Sequence, residues 1–343
     1  MQLSDYGFEL PKELIAQEPL PQREASRMLR VSRGNKKFAD DMFANFPMAL
    51  EKGDLLVLND TKVFPARLIG RTETGAKAEL FLVEEIAPRT WNVLARPGKR
   101  LKPGKRVFFD GRMTAEVVDK AEDGQVIVRF DAADAFDSIV QEIGKTPLPP
   151  YIQREEEGLP SDRERYQTVF ATHRGAIAAP TAGLHFSEAI FDRINDRGVD
   201  VARITLHVGY GTFEPVRVAD LSEHQVAPER FEVSGEAAEK LEKARVDGRR
   251  IVAVGTTTTR TLEYVAGRGG AFQAEKGRAD LTILPGYRFK AVKALLTNFH
   301  LPESSLLVLV ATFGGYELIM DSYRHAVSSG YRFYSYGDCM LIE

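Results

Sequence analysis

The residues of this chain best suited to chemistry are histidines and glycines crowded at the ends of short apolar runs. Residues 178–186 read AAPTAGLHF and lead into Ser187, a potential helix cap. There Thr181, Gly183 and His185 would sit beside a helix N-terminus, where backbone N–H groups favour an anion and lower an imidazole pKa; a satisfied loop histidine is the other reading. Residues 206–215 read LHVGYGTFEP, with His207 ahead of Gly209 and Gly211, and that spacing lets backbone approach a flat ligand closely. An ordinary glycine turn would explain this string as well. Imidazole titrates near working pH, so His185 and His207 are the candidate base and acid, with Asp338 as a third proton-handling group.

Residues 254–263, VGTTTTRTLE, read as strand, glycine and helix start. Thr256, Thr257, Thr258 and Thr259 can offer hydroxyls and backbone N–H groups to a carboxylate or phosphate, with Arg260 one turn in. LTNFHLP brings Asn298, Phe299 and His300 together, and FYSYGDCM sets Tyr336 near Asp338. Such mixtures both stack and hydrogen-bond, as a purine-like ring requires. Between Arg96 and Arg112 lie Arg96, Lys99, Arg100, Lys102, Lys105, Arg106 and Arg112 against Asp110 alone. With Arg154 and Arg165 farther on, this stretch suits a phosphate backbone, the alternative being a solvated loop.

Common signatures are missing. Gly144-Lys145-Thr146 ends like a phosphate loop, but the first required glycine falls on Ile139, and Glu214 stands where a dinucleotide fingerprint needs its third glycine. The six histidines lack HExxH spacing, so no metal is expected.

The elements that must hold these residues follow from periodicity. Six short alternating runs between Val63 and Phe130, separated by Thr74-Gly75, Pro97-Gly98, Pro103-Gly104, Asp110-Gly111 and Asp123-Gly124, predict a small β-barrel. After Pro150, helix, glycine and strand alternate twice, with helix starts at Ser187 and Ser234 and stops at Gly198 and Gly248. That order predicts an α/β domain with a largely parallel or mixed sheet flanked by helices. Residues 1–62 join it, so the barrel, residues 63–146, is an insertion between 1–62 and 147–343. Thr146 to Gln167, rich in Pro and charge, reads as a long connector.

At 343 residues, with 43% hydrophobic and 28% charged side chains, the chain has ordinary globular composition and a length that favours two domains. Its 46 basic against 49 acidic side chains give a net charge of −3, so any nucleic-acid contact must be local. Cys339 is the single thiol and no signal-like or membrane-length apolar run is present, so a cytosolic location away from membranes is expected.

Assembled, these strings resemble the S-adenosylmethionine:tRNA ribosyltransferase-isomerase family of the queuosine pathway. The matching stretches are LNDTKVFPARL, PLPPYIQR, RYQTVFA, AAPTAGLHF, LHVGYGTFEPV, VGTTTTRTLE, LLTNFHLPESSLL and YRFYSYGDCMLI, in the family's order from residue 58 to 342. The chain departs from the family at Ala227, where a second histidine usually follows the one matched by His224; His224 is kept as a candidate. The resemblance implies transfer and isomerisation of the ribosyl part of S-adenosylmethionine onto 7-aminomethyl-7-deazaguanine at the tRNA wobble position, with release of adenine and methionine. It implies no permanently bound cofactor, S-adenosylmethionine as co-substrate, the anticodon loop of tRNA as partner, and a monomer. A non-catalytic RNA-binding protein and a methyltransferase are the rival readings; the absence of a glycine-rich donor loop after the first strand weighs against the second.

Overall fold

The computed structural model describes residues 1–121, 125–132, 136–155, 159–209 and 216–343. Near its start lie a hairpin, β1 (Arg27–Ser32) and β2 (Lys37–Met42), then a strand β3 (Leu55–Asn59) and a short β4 (Thr61–Val63). Six strands follow: β5 (Arg67–Thr72), β6 (Lys77–Ala87), β7 (Thr90–Arg96), β8 (Arg106–Phe109), β9 (Met113–Lys120) and β10 (Val126–Asp131). They close into an antiparallel barrel, as the alternation predicts, because Leu68, Leu80, Val93, Val107, Ala115 and Val128 all turn inward and are fully buried. The helix α1 (Phe136–Ile143) adds Phe136, Ile139 and Val140 to that core.

The rest of the chain runs α2 (Asp162–Arg165), β11 (His173–Ala176), α3 (Glu188–Asp196), β12 (Asp200–Leu206), β13 (Glu229–Val233), α4 (Gly235–Val246), β14 (Ile251–Val254), α5 (Thr256–Gly267), β15 (Glu275–Ala279), β16 (Ala294–Asn298), α6 (Ser305–Gly314), α7 (Tyr316–Ser328) and β17 (Cys339–Ile342). β11 pairs with β4 in a separate two-stranded sheet, while β12 to β17 join β1, β2 and β3 in a nine-stranded sheet in the order β15-β13-β12-β3-β14-β16-β17-β1-β2. The sheet is mixed. Its central strands β12, β3, β14 and β16 are parallel, while β13, β15 and β2 run antiparallel to their neighbours and β17 pairs antiparallel with β16 but parallel with β1. A parallel neighbour needs a crossover, and the helix–strand alternation that supplies one is confined to the middle of the sheet.

β3 reads Leu-Leu-Val-Leu because both its faces are covered. Leu55 and Val57 pack with Leu241, Leu262, Leu309 and Tyr323 from α4 to α7, whereas Leu56 and Leu58 pack with Phe43, Phe46, Ile190 and Ile194 on the opposite face. Each such fully buried side chain contributes about 1.5–3 kcal/mol. Ser234 caps α4 by accepting the Ala237 N–H at 3.2 Å, as expected. Ser187 holds the corresponding position on α3, but its hydroxyl makes no capping bond; its carbonyl accepts the Ile190 and Phe191 N–H groups instead. Among the described residues no single helix is long and apolar enough to cross a membrane.

Candidate active site

Parallel strands place their carboxyl ends together, and here that edge gathers the chemistry. β3 delivers Asn59, Asp60 and Thr61; β12 delivers His207; β14 delivers Gly255 and the start of α5; β16 delivers Asn298, Phe299 and His300. Asn298 and Met28 both pair with Cys339, so Ser26 and the segment from Tyr334 to Asp338 reach the same edge. Gly255 adopts φ +93°, a conformation that favours glycine and lets β14 turn directly into α5.

Among the described residues, two adjoining cavities open there. The inner one, about 290 Å³, is walled by Tyr151, Thr181, Phe299, Leu301, Leu306 and Tyr334, with Thr256, Thr257, Asn298 and His300 on its floor. The outer one, about 430 Å³, lies between sheet and barrel and is lined by His207, Gly209, His224, Ala227, Arg260 and barrel residues including Glu84 and Asn92. Val208, Ser305 and Leu306 belong to both, so the two cavities adjoin.

The proposed proton-handling groups have distinct settings. His185 is buried: its Nδ1 lies 2.7 Å from Ser26 Oγ and its Nε2 3.3 Å from Asn298 Nδ2, which also donates to the Tyr334 carbonyl at 3.0 Å. An amide nitrogen only donates, so Nε2 accepts and the His185 proton resides on Nδ1. Burial above all pushes this imidazole down to about 4, with Arg332 and Arg23 adding to the shift; burial thus takes the part that helix position was expected to play. His185 borders a small cleft of about 20 Å³ with Arg165 and Tyr336 and meets the inner cavity through Asn298.

His207 is half-buried on the outer cavity, with Nδ1 2.8 Å from Thr61 Oγ1. Thr61 Oγ1 also lies 3.5 Å from the His173 carbonyl, too far to fix its proton, so the hydroxyl can donate to Nδ1 or accept from it, and only the second arrangement leaves a lone pair on Nε2. Burial, then Arg230 and His173, lower this imidazole to about 4. His300 is pushed down to about 3 by burial alone. The imidazoles of His185, His207 and His300 are therefore all neutral at pH 7.

Asp338, 1% exposed, accepts the Arg27 N–H at 2.9 Å and the Arg332 N–H at 2.8 Å and lines neither cavity. Its carboxylate ties the 332–338 loop to β1. Gly183 also stands behind the cavities: a Cβ there would lie 2.7 Å from Phe170 and 2.8 Å from Thr168, so close packing accounts for the glycine. Gly209 donates its N–H to Glu229 at 3.0 Å, and Gly211 lies outside the described residues.

The threonine run divides. Thr258 and Thr259 are fully buried and return their hydroxyl protons to the Val254 and Gly255 carbonyls at 2.7 and 3.1 Å. Thr256 and Thr257 face the inner cavity, whereas Arg260 faces the outer one. Arg260 is 6% exposed, pairs through Nη1 with Glu229 at 2.8 Å and donates Nε to the Leu281 carbonyl at 3.2 Å.

On the barrel, Arg96, Lys99, Arg100, Lys102, Lys105, Arg106 and Arg112 are all exposed. Lys105, Arg106 and Arg112 have carboxylate partners at 3.5, 4.0 and 2.6 Å, which leaves Arg96, Lys99, Arg100 and Lys102 without an ion pair among the described residues. Arg165 spends its guanidinium on the Leu20 and Pro21 carbonyls, and Arg154 holds Asp162 with both Nε and Nη2, so both connector arginines act as clips between segments. Among the described residues no three His, Cys, Asp or Glu side chains gather as a metal set.

Sequence reasoning passed over Tyr151, Tyr334, Asn59, Asp60 and Thr61. Asn59 clamps the ends of β3 and β12, accepting the Leu206 and Thr61 N–H groups and donating to the Leu206 carbonyl. The signal was Asn-Asp-Thr directly after four buried apolar residues, where polar groups gather at the end of a covered strand.

Comparison with known proteins agrees with this architecture. A crystal structure of the S-adenosylmethionine tRNA ribosyltransferase from Thermotoga maritima is 38% identical, with a TM-score of 0.58 over 99% of this chain and 100% of that one. Proteins named S-adenosylmethionine:tRNA ribosyltransferase-isomerase from Trichlorobacter lovleyi and Caldanaerobacter subterraneus are 49% and 48% identical, each over 100% of both chains. Residues 3–342 match the family model described as queuosine biosynthesis protein, and the chain belongs to that family.

Proposed function

We propose that this protein transfers and isomerises the ribosyl moiety of S-adenosylmethionine onto 7-aminomethyl-7-deazaguanine at the wobble position of tRNA, giving epoxyqueuosine tRNA and releasing adenine and methionine. The geometric observation that carries this reading is the pair of adjoining cavities, one mainly apolar and aromatic, the other of mixed polar and apolar lining and bounded by the barrel. A reaction between a small donor and a base on a macromolecule needs two such compartments meeting at one point. Full-length relatives that carry this activity in their names support it.

In this reading the donor occupies the inner cavity. Its rings lie against Tyr151, Phe299 and Tyr334, and the N–H groups at Thr256 and Thr257 receive its carboxylate. His207, neutral and on the outer cavity where Val208 joins it to the inner one, takes the proton from the carbon beside the sulfonium in the tautomer that leaves Nε2 unprotonated; a neutral imidazole also spares that cation the repulsion of a protonated one. His185 and Asn298 orient the donor from behind. The domain division falls at residues 62/63 and 146/147, and the barrel takes the anticodon arm through Arg96, Lys99, Arg100 and Lys102. Residues 1–62 and 147–343 carry the chemistry. The protein works as a cytosolic monomer, with its single thiol, Cys339, fully buried; light scattering with and without tRNA checks its state.

The deciding experiment incubates the protein with S-adenosylmethionine and tRNA bearing 7-aminomethyl-7-deazaguanine and follows the products by mass spectrometry. Adenine, methionine and an epoxycyclopentane nucleoside are expected. S-adenosylhomocysteine with methylated RNA would make the protein a methyltransferase, and RNA binding without donor turnover would make it a binding module.

A further inference from the structure

A buried donor or acceptor without a partner is costly, and native proteins keep few. Among the described residues, three that line the outer cavity each carry one such atom: Nη2 of Arg260, Nε2 of His224 and Oδ1 of Asn92. They come from α5, from the segment before β13 and from the barrel strand β7, so the constellation needs both the sheet and the barrel.

Their chemistry defines the missing partner. Guanidinium only donates, and Arg260 is held in aim by Glu229 through Nη1 and the Leu281 carbonyl through Nε, so its Nη2 calls for an acceptor. Asn92 Oδ1 calls for a donor. A phosphate presents acceptors alone: it would serve Arg260 but leave Asn92 unmatched, and charge does not decide the point, because Glu84 and Glu229 in the same wall are paired with Arg278, Arg230 and Arg260. A guanine edge presents acceptor and donors side by side, O6 next to N1–H and the exocyclic amine. Leu94, Ile283 and Leu309 supply apolar wall, and about 430 Å³ is room for a nucleoside.

We infer that the outer cavity reads the modified wobble base by its guanine edge, with Arg260 donating to O6, Asn92 accepting from N1–H or the exocyclic amine, and His224 completing the set. The inference rests on the reaction proposed above and names the compartment that holds its acceptor. It makes the barrel part of base selection as well as of backbone binding, and it ties the edge of the base to a position next to the donor cavity.

The test measures binding of two anticodon stem-loops, one carrying 7-aminomethyl-7-deazaguanine and the other 7-aminomethyl-7-deazaadenine, whose edge reverses donor and acceptor. The wild-type protein should prefer the guanine form by about tenfold or more, since an unmatched edge strands buried polar groups. Asn92→Ala should reduce affinity for the guanine form and shrink that preference, while S-adenosylmethionine binding, read separately, stays intact and reports a folded protein. His224→Ala is read the same way should the Asn92 substitution disturb the barrel. Equal binding of both stem-loops by the wild type, or an Asn92→Ala protein that keeps the full preference or weakens both forms alike, overturns the inference. Adding donor to the guanine form separates the two claims: an Asn92-dependent preference without adenine release supports the base reader and removes the ribosyl-transfer reading.

Discussion

His207 and His185 are both kept neutral by burial, yet their nitrogens are committed differently. His207 holds Nδ1 through Thr61 and has no hydrogen bond on Nε2 among the described residues, whereas His185 has both nitrogens engaged, by Ser26 and Asn298. His207→Ala should therefore lower turnover by about 10² or more, with less effect on donor affinity, in single-turnover measurements. With its imidazole near 4, the acid limb of kcat/KM for the wild type should fall near pH 4 instead of near 6.5. For His185 the consequence is stability. Its folded-state value lies below the unfolded 6.5, so the unfolded chain takes up the proton first as pH drops. Stability should begin to decline as pH falls through 6.5, with His185 contributing about 3 kcal/mol of the loss by about pH 4 and the buried His207 and His300 adding to it in the same direction. Urea unfolding of wild type and His185→Gln across that range checks it: the variant should show a shallower decline, smaller by the His185 share, with the His207 and His300 shares remaining.

Elements fix where these side chains stand. β11 passes against β4, and Gly175 within it faces the His207 ring so closely that a Cβ would lie 2.6–2.8 Å from three ring atoms. Gly175→Ala should therefore displace His207, reducing kcat severalfold or more while thermal unfolding still shows a cooperative fold; an unchanged kcat would mean that the ring's position does not matter. The α5 start shows the same control. The strand–glycine–helix reading of VGTTTTR was correct, but a sequence does not say which threonines face outward. Helical spacing sends Thr258 and Thr259 back onto their own carbonyls and leaves Thr256 and Thr257 at the cavity.

At the scale of the molecule, the barrel and the nine-stranded sheet share the outer cavity, and the barrel's basic stretch is partly neutralised by its own carboxylates. Among the described residues, the basic side chains of this stretch without an ion pair are Arg96, Lys99, Arg100 and Lys102. Reversing Lys99 and Lys102 to Glu should weaken tRNA binding and reduce the slope of log K against log salt by about 1 to 2, with donor binding unchanged. An unchanged slope would move the RNA elsewhere on the surface.

The sequence by itself determined the six barrel strands, the helix starts and stops around Gly198 and Gly248, and the short strings in which site residues occur. Each is a local matter of alternation, glycine conformation or capping, carried by neighbours in the chain. It also carried the family, since eight strings in order encode a whole-chain resemblance. Tertiary structure alone decided between the largely parallel and the mixed sheet that the sequence allowed, that Arg260 and Thr256 serve different cavities, and that Asp338 and Arg165 fasten loops. It also brought Asn92 of the barrel to the same cavity as His224. Strand direction, burial and the partner of each polar atom depend on residues a hundred or more positions away, such as Asn59 with Leu206 and His185 with Asn298.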